Sequence, residues 1–266
     1  MNVASLWRYP VKSMMGEELN ACELTEKGLL GDRTYGVIDE ETGKLANAKN
    51  PRKWPGMFHY RASFTEPTQL SGPIPPVRIT LPNGQTVISN EEDVNARLTE
   101  SFQRAVTLSS PSLETVEFEG YIPEDIEELD NPGTVFSKAS PEETFFDIAM
   151  VHIITTSTID MLRKLTPSSR IEPRRFRPNI ILDVPGAEGF VEEQWTNRML
   201  TIGDNVVLKI IQPTKRCVMT TLAQGDLPND PNVLRTLAQQ NNGNFGVYAE
   251  VIKTGSVKIE DKAVLQ

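Results

Sequence analysis

The segment PTKRCVMT, Pro213 to Thr220, places one of the chain's two cysteines, Cys217, directly after Lys215 and Arg216. A thiolate is both a nucleophile and a soft metal ligand, and neighbouring cations favour it over the thiol. In an extended segment, however, the adjacent side chain points to the opposite face, so adjacency alone does not choose a role. Three roles stay open on these residues: a small buried core residue, a reactive thiol, or a metal ligand. Cys22, in NACELTEKG, lacks basic neighbours and is expected to pack in a strand.

A second concentration of chemistry is SSRIEPRRFRPN, where Arg170, Arg174, Arg175 and Arg177 precede an apolar run. Arginine forks bind phosphate and carboxylate bidentately, so such a group at a strand mouth suits an oxyanion. The plain alternative is a solvated loop paired with surface acids. Arg177 stands apart, because Pro178 and the segment from Asn179 would hold it rigidly. Three shorter motifs add polar groups. YPVKS offers Lys12 and Ser13 after an apolar strand, GDRTYGVID offers Arg33 beside Asp32, and TTST offers Thr156 and Ser157 at a helix start. Each has an ordinary reading too: a proline-fixed turn, a surface ion pair, and helix capping.

The elements that must position these groups read as mostly β at first. VASLWRYPV, RTYGVID, MFHYRASF and VRITL are short runs rich in β-branched and aromatic residues, and Asn83-Gly84 predicts a type I′ hairpin. Close spacing of short strands points to a barrel or strongly curved sheet. Glu91 to Phe102 has helical spacing, with Val94, Leu98 and Phe102 on one face. Pro111 to Pro141 is acidic and proline-punctuated, which predicts a long connection with a domain boundary at its start. Beyond it, Thr156–Leu165 predicts a helix with Ile159, Leu162 and Leu165 inward, Arg177–Val184 a buried strand, and VVLKIIQP another. DPNVLRTLAQQ predicts a helix with Asp230 as N-cap and Pro231 at its first position. VYAEVIKTGSVKIEDKAVL predicts two or three closing strands.

The bulk composition narrows the function. With 266 residues and 38% hydrophobic content, the chain can bury a sizeable core. Its 36 acidic and 27 basic side chains give a net charge of −9, which argues against nucleic acid or an anionic membrane as partner. No run approaches the roughly 18 apolar residues of a membrane span, and the first residues do not form a secretory signal, so a cytoplasmic location is the expectation. The two histidines and two cysteines show none of the usual zinc spacings.

Taken in order, YPVKS, GLLGDRTYGVID, FRPNIILD, KRCVMTT and NFGVYAEVIKTGSVKIED together resemble the family built from an N-terminal MOSC β-barrel domain followed by a MOSC domain, the domain named after the C-terminal part of molybdenum-cofactor sulfurase. This group includes the mitochondrial amidoxime-reducing component and its bacterial relatives. The resemblance implies an α+β, mostly β fold: a β-barrel-type domain over 1–112, then a MOSC domain over 113–266 with a β-barrel-like core and peripheral helices. It implies the molybdenum cofactor, Mo-molybdopterin, with Cys217 as metal ligand and catalytic residue. Cofactor contacts would fall on Lys12, Ser13, Arg33, Arg177, Asn179, Arg216 and Tyr248, and, on a looser local match, on Thr156 and Ser157.

The implied activity is that of a molybdenum-dependent oxidoreductase reducing small N-hydroxylated or other N-oxygenated molecules. No iron–sulfur domain or membrane anchor is expected, so electrons would come from a separate protein, either ferredoxin-like or a b-type cytochrome with its reductase. A carrier of the cofactor or of sulfur, using the same residues without turnover, is the competing expectation. Two departures bear on substrate: Lys215 stands where the amidoxime-reducing proteins have a small polar residue, and TTLAQGDLPNDP replaces their Asp-Pro stretch and longer loop after the cysteine.

Overall fold

The computed structural model describes all 266 residues. Its first strand, β1 (Asn2–Arg8), ends two residues before Pro10, and β2 (Glu17–Leu19), β3 (Ala21–Thr25), β4 (Gly28–Leu29) and β5 (Gly36–Asp39) follow closely. Next come β6 (Arg61–Phe64), β7 (Val77–Thr80) and β8 (Thr86–Ile88), an antiparallel sheet in that order. The β7–β8 hairpin forms where Asn83-Gly84 predicts one, but its turn type differs. Gly84 alone is left-handed, with φ 84°; its N–H donates to Leu81 O at 2.9 Å, and Leu81 N–H donates to Gln85 O at 2.8 Å. This is a type I turn closed by a glycine bulge, which needs one positive φ where type I′ needs two.

Helix α1 (Val94–Phe102) begins three residues later than the spacing predicts. The Glu91 carboxylate instead accepts from Ile88 N–H at 3.0 Å, holding the acidic residues in the strand's exit turn. Strand β9 (Val106–Ser109) returns to pair with β5. The acidic stretch expected as a connection contains a hairpin, β10 (Glu117–Tyr121) and β11 (Val135–Ala139). Every side chain of β11 is exposed, so it lacks the inside–outside alternation that marks a strand in sequence.

The rest of the chain runs β12 (Val151–Thr155), α2 (Thr156–Leu165), β13 (Ile180–Asp183), β14 (Met199–Ile202), β15 (Val206–Lys215), α3 (Pro231–Asn241), β16 (Asn244–Lys253), β17 (Gly255–Lys258) and β18 (Ala263–Leu265). Helix α2 has the predicted bounds and buries Ile159 and Leu162, while Leu165 is 37% exposed. Helix α3 starts at its Asp230 cap, whose carboxylate accepts from Asn232 N–H at 3.1 Å. Eight strands form one sheet in the order β18-β14-β15-β16-β12-β13-β1-β2, antiparallel except for β12–β13, which α2 joins as a crossover. The chain is thus α+β and mostly β, with three α-helices at the periphery. No helix is long and apolar enough to cross a membrane.

The two halves of the chain are interleaved. Strand β1 sits between β13 and β2 in the large sheet, and β3 pairs with β17. One apolar cluster therefore joins Val3, Leu6, Cys22 and Leu24 to Ile153, Leu208 and Val247. A second, built on Met14, Trp54, Phe58, Ile79 and Leu98, receives Met219 and the flank of Cys217 from the other half. The cysteine segment thereby seats against the N-terminal core.

A cationic cleft around Cys217

Chain segments that follow β1 and β15 and the one that precedes β13 converge on one cleft. Its walls include Lys12, Ser13, Arg33, Asn47, Lys49, Asp147, His152, Phe176, Arg177, Lys215, Arg216, Cys217, Met219 and Tyr248. Six of these are Lys or Arg and one is acidic, in a chain of net charge −9. An acidic protein gathers cations at one place against their mutual repulsion only where something anionic offsets it.

The backbone at three of these residues is strained. Ser13, Arg33 and Arg177 have φ of 63°, 51° and 54°, the left-handed region that costs a residue with a side chain about 1 kcal/mol or more. Neighbouring bonds impose each conformation. Arg33 N–H donates to Tyr9 O at 2.8 Å, Ser13 Oγ accepts from Ala48 N–H at 3.1 Å, and Arg177 caps the short turn Pro173–Phe176 through its N–H on Arg174 O. The predicted strand from Arg177 therefore starts only at Ile180, and Arg177 swings inward instead.

Asp32 ties the cleft together from behind. Its Oδ1 accepts from Tyr9 N–H at 2.7 Å, and its Oδ2 accepts from Asn179 Nδ2 at 3.0 Å and from the Arg33 guanidinium. Asn179, 1% exposed, also accepts from His152 N–H at 3.0 Å. Its side chain is committed to the framework behind the cleft wall. Arg33 lies between the Tyr9 and Phe146 rings, 5.5 and 5.1 Å from their centroids.

Two arginines of the cleft carry unsatisfied donors, and Arg175 Nε, outside the cleft, is a third buried arginine nitrogen without a partner. Arg177 Nη1 donates to Met14 O at 2.6 Å and its guanidinium lies 4.1 Å above the Tyr9 ring, yet its Nη2 is buried without a partner. Arg216 Nη2 donates to Phe176 O at 2.7 Å, and its Nε is likewise buried and unpaired. Burial pulls Arg177 down to about 10 and lowers Arg216 as well. Orphaned charged donors of this kind are costly, and an oxyanion in the cleft would satisfy them.

Two residues without a sequence motif complete the site. Asp147 Oδ1 meets Lys12 Nζ at 2.6 Å and its Oδ2 meets Lys49 Nζ at 2.9 Å, with both ammonium groups near the Phe118 ring. Burial would raise the Asp147 carboxyl, but the charges of Lys12 and Lys49 hold it well below the usual carboxylate range. Lys12, the more buried amine, is pulled down to about 8 by burial against the pull of Asp147. Burial opposes the ammonium of Lys49 too, but there Asp147, Cys217 and Tyr248 outweigh it and raise the amine. Lys49 lies in LANAKNPR and Asp147 in FFDIAM; only the turn-forming asparagines around Lys49 hinted at a built loop.

The remaining expected residues divide. Cys217 is a free, half-buried thiol in extended backbone at the cleft, and Tyr248 faces it from β16, its ring 5.8 Å from that of His152. Burial and the charge of Arg216 push His152 down to about 3, so the imidazole is neutral. Cys22 packs in β3, and burial raises its thiol to about 12. Thr156 and Ser157 do not reach the cleft. The Thr156 hydroxyl donates to Asp183 at 2.9 Å and that of Ser157 to Gly189 O at 2.7 Å, while Thr155 caps α2. Their hydroxyls bond to the segments beside the start of the helix, and neither residue lines the cleft. A larger cavity of about 570 Å³, lined by Leu24, Leu29, Leu30, Leu70 and Phe146 among others, touches the cleft only through Arg33.

Residues 1–119 match the family described as MOSC N-terminal beta barrel domain, and residues 142–264 match the MOSC domain. The chain is 25% identical to mitochondrial amidoxime reducing component 2 of Rattus norvegicus, over 97% of this chain and 81% of the relative. It is 27% identical to mitochondrial amidoxime-reducing component 1 of Homo sapiens, over 99% of this chain and 82% of the relative. Among solved structures, the YUAD protein from Bacillus subtilis shares the fold at 11% identity, with a TM-score of 0.50 over 99% of this chain and 94% of that one.

Proposed function

The chain belongs to the family that joins a MOSC N-terminal β-barrel domain to a MOSC domain, and on that premise we propose that it is a molybdenum-cofactor oxidoreductase acting on small N-oxygenated molecules. The observation that carries this reading is the pair of orphaned donors, Arg177 Nη2 and Arg216 Nε, on residues that share a cleft with the Cys217 sulfur. Phosphate-bearing pterin needs the first kind of group, and molybdenum, a soft redox metal, needs the second. The donor set fits the cofactor.

When bound, the cofactor supplies two-electron oxygen-atom abstraction, chemistry that no side chain provides. Cys217 is the metal ligand in this reading. Arg177, Arg216 and Arg33 bind anionic and polar atoms of the cofactor, Lys12 and Ser13 hold its phosphate end, and Tyr248 packs beside it. Asn179 acts at one remove, through Asp32 and the Arg33 side chain. Lys49, with three N–H donors beside Cys217 and Tyr248, orients the polar head of the substrate and holds a proton at Nζ. Reduction of R–NHOH to R–NH2 breaks the N–O bond and consumes two electrons and two protons, releasing water. The electrons come from a separate redox protein. The halves 1–112 and 113–266 act as one unit around this site.

The test uses protein purified from a host that synthesises the cofactor, reduced chemically and offered benzamidoxime. Turnover to benzamidine is the expected result. Molybdenum loading without turnover would identify a carrier instead, and absence of molybdenum would overturn the reading.

A further inference from the structure

The arginine run before β13 has a second target besides the cleft. Arg175 is the largest fully buried side chain of the protein, at 0% exposure, and no carboxylate pairs with it. Its Nη1 donates to Thr220 O and to Leu222 O, each at 3.2 Å, and its Nη2 donates to Pro228 O at 3.0 Å. All three acceptors lie in the loop that follows Cys217. Gln224, also fully buried, donates from Nε2 to Arg175 O and to Met219 O, both at 3.3 Å.

The grip reaches the cysteine in one step. Thr220 donates to Cys217 O from its N–H at 3.1 Å and from its hydroxyl at 3.0 Å. Arg216, the residue before the cysteine, donates to Phe176 O at 2.7 Å, next to Arg175. Segments 173–177 and 216–228 are therefore locked to each other in both directions. Outside the lock, Arg170 and Arg174 pair with Asp226 at 2.7 and 2.5 Å, but Asp226 is 60% exposed, where ion pairs contribute little.

We propose that Arg175 is the positioning residue of the Cys217 loop: its buried guanidinium, by capping three loop carbonyls, fixes where the sulfur stands in the cleft. A cation buried without a carboxylate partner is costly, so the three carbonyl bonds must offset its desolvation. The role rests on contacts among the chain's own residues and stands whether or not the cleft takes molybdenum. Lysine in its place can bond fewer of the three carbonyls, whereas methionine leaves all three unpaired.

The experiment compares wild type, Arg175→Lys, Arg175→Met and an Arg170→Gln/Arg174→Gln double variant as full chains made in a host lacking the cofactor. Hydrogen exchange of segment 218–228 and the rate of Cys217 alkylation by iodoacetamide at one pH are measured beside the thermal midpoint, with buried Cys22 as internal control. Arg175→Lys is expected to speed both rates about tenfold, Arg175→Met more, with exchange in β14 and β15 unchanged and the outer double variant within about twofold of wild type. If Arg175→Met does not fold, the lysine variant carries the test. The proposal fails if loop exchange and alkylation in the lysine variant match wild type, if they rise only in step with exchange across the whole chain, or if the outer double variant reproduces the effect.

Discussion

Lys12 and Asp147 meet at 2.6 Å inside the cleft, and the other oxygen of the same carboxylate holds Lys49 at 2.9 Å. One acid thus neutralises two of the cations that would otherwise face an anionic ligand. Asp147→Asn keeps the shape and removes the competing charge, so the variant, titrated at about pH 6 to keep the Lys12 ammonium that Asp147 otherwise supports, is expected to bind pyrophosphate about tenfold more tightly than wild type. Titration calorimetry at low salt checks this; unchanged or weaker binding would mean that the two lysines do not contribute to anion capture.

The Lys12 amine, pulled down to about 8 by burial, sets a pH limit on anion binding. Sulfate keeps its charge across the range, so its affinity should be constant below pH 8 and fall above it as the ammonium is lost, by up to about tenfold per pH unit. Lys12→Gln should bind sulfate weakly and without that pH dependence. The linked effect on stability has a definite sign. Between pH 8 and the ordinary lysine value the unfolded chain binds more protons than the folded one, so Lys12 makes stability rise with pH there.

Gly246 leaves no room for a side chain two residues before Tyr248. Its φ is 82°, and a Cβ there would stand 2.5 Å from Ile154 Cγ2 and 2.6 Å from both His152 Nε2 and Ile153 O. Gly246→Ala is expected to destabilise the fold by about 3 kcal/mol, since two of these obstacles are a backbone atom and a hydrogen-bonded ring. Differential scanning calorimetry should show a midpoint about 10 °C lower. A shift under about 2 °C would mean that β12 and β16 can separate locally.

Much of this was legible before the fold was known. Local signals sufficed for α2 and α3, whose caps and apolar spacing are written in ten or eleven consecutive residues. The same holds for Lys12, Arg33, Arg177, Arg216 and Cys217, each carried by a short motif and all lining one cleft. What escaped depended on contacts between distant segments. Asp147 and Lys49 lie almost a hundred positions apart in sequence, and neither has a local pattern. Arg175 reads in sequence as one member of a run that suits either an oxyanion or a solvated loop, yet in the turn Pro173–Phe176 its side chain enters the protein. Thr156 and Ser157 are ambiguous in sequence for the converse reason: hydroxyls at a helix start suit an anion and a cap equally, and here they donate to Asp183 and to Gly189 O.

The central claim is that Cys217 binds molybdenum in a cleft built for an anionic cofactor. It is tested most directly by molybdenum and pterin analysis of wild type beside Cys217→Ala, both purified from a host that makes the cofactor and both assayed with benzamidoxime. The expected result is about one molybdenum per chain with turnover in wild type, and loss of reduction in the variant, whose arginines can still hold pterin but whose metal lacks its protein sulfur. Stoichiometric molybdenum with full activity in Cys217→Ala would contradict the account.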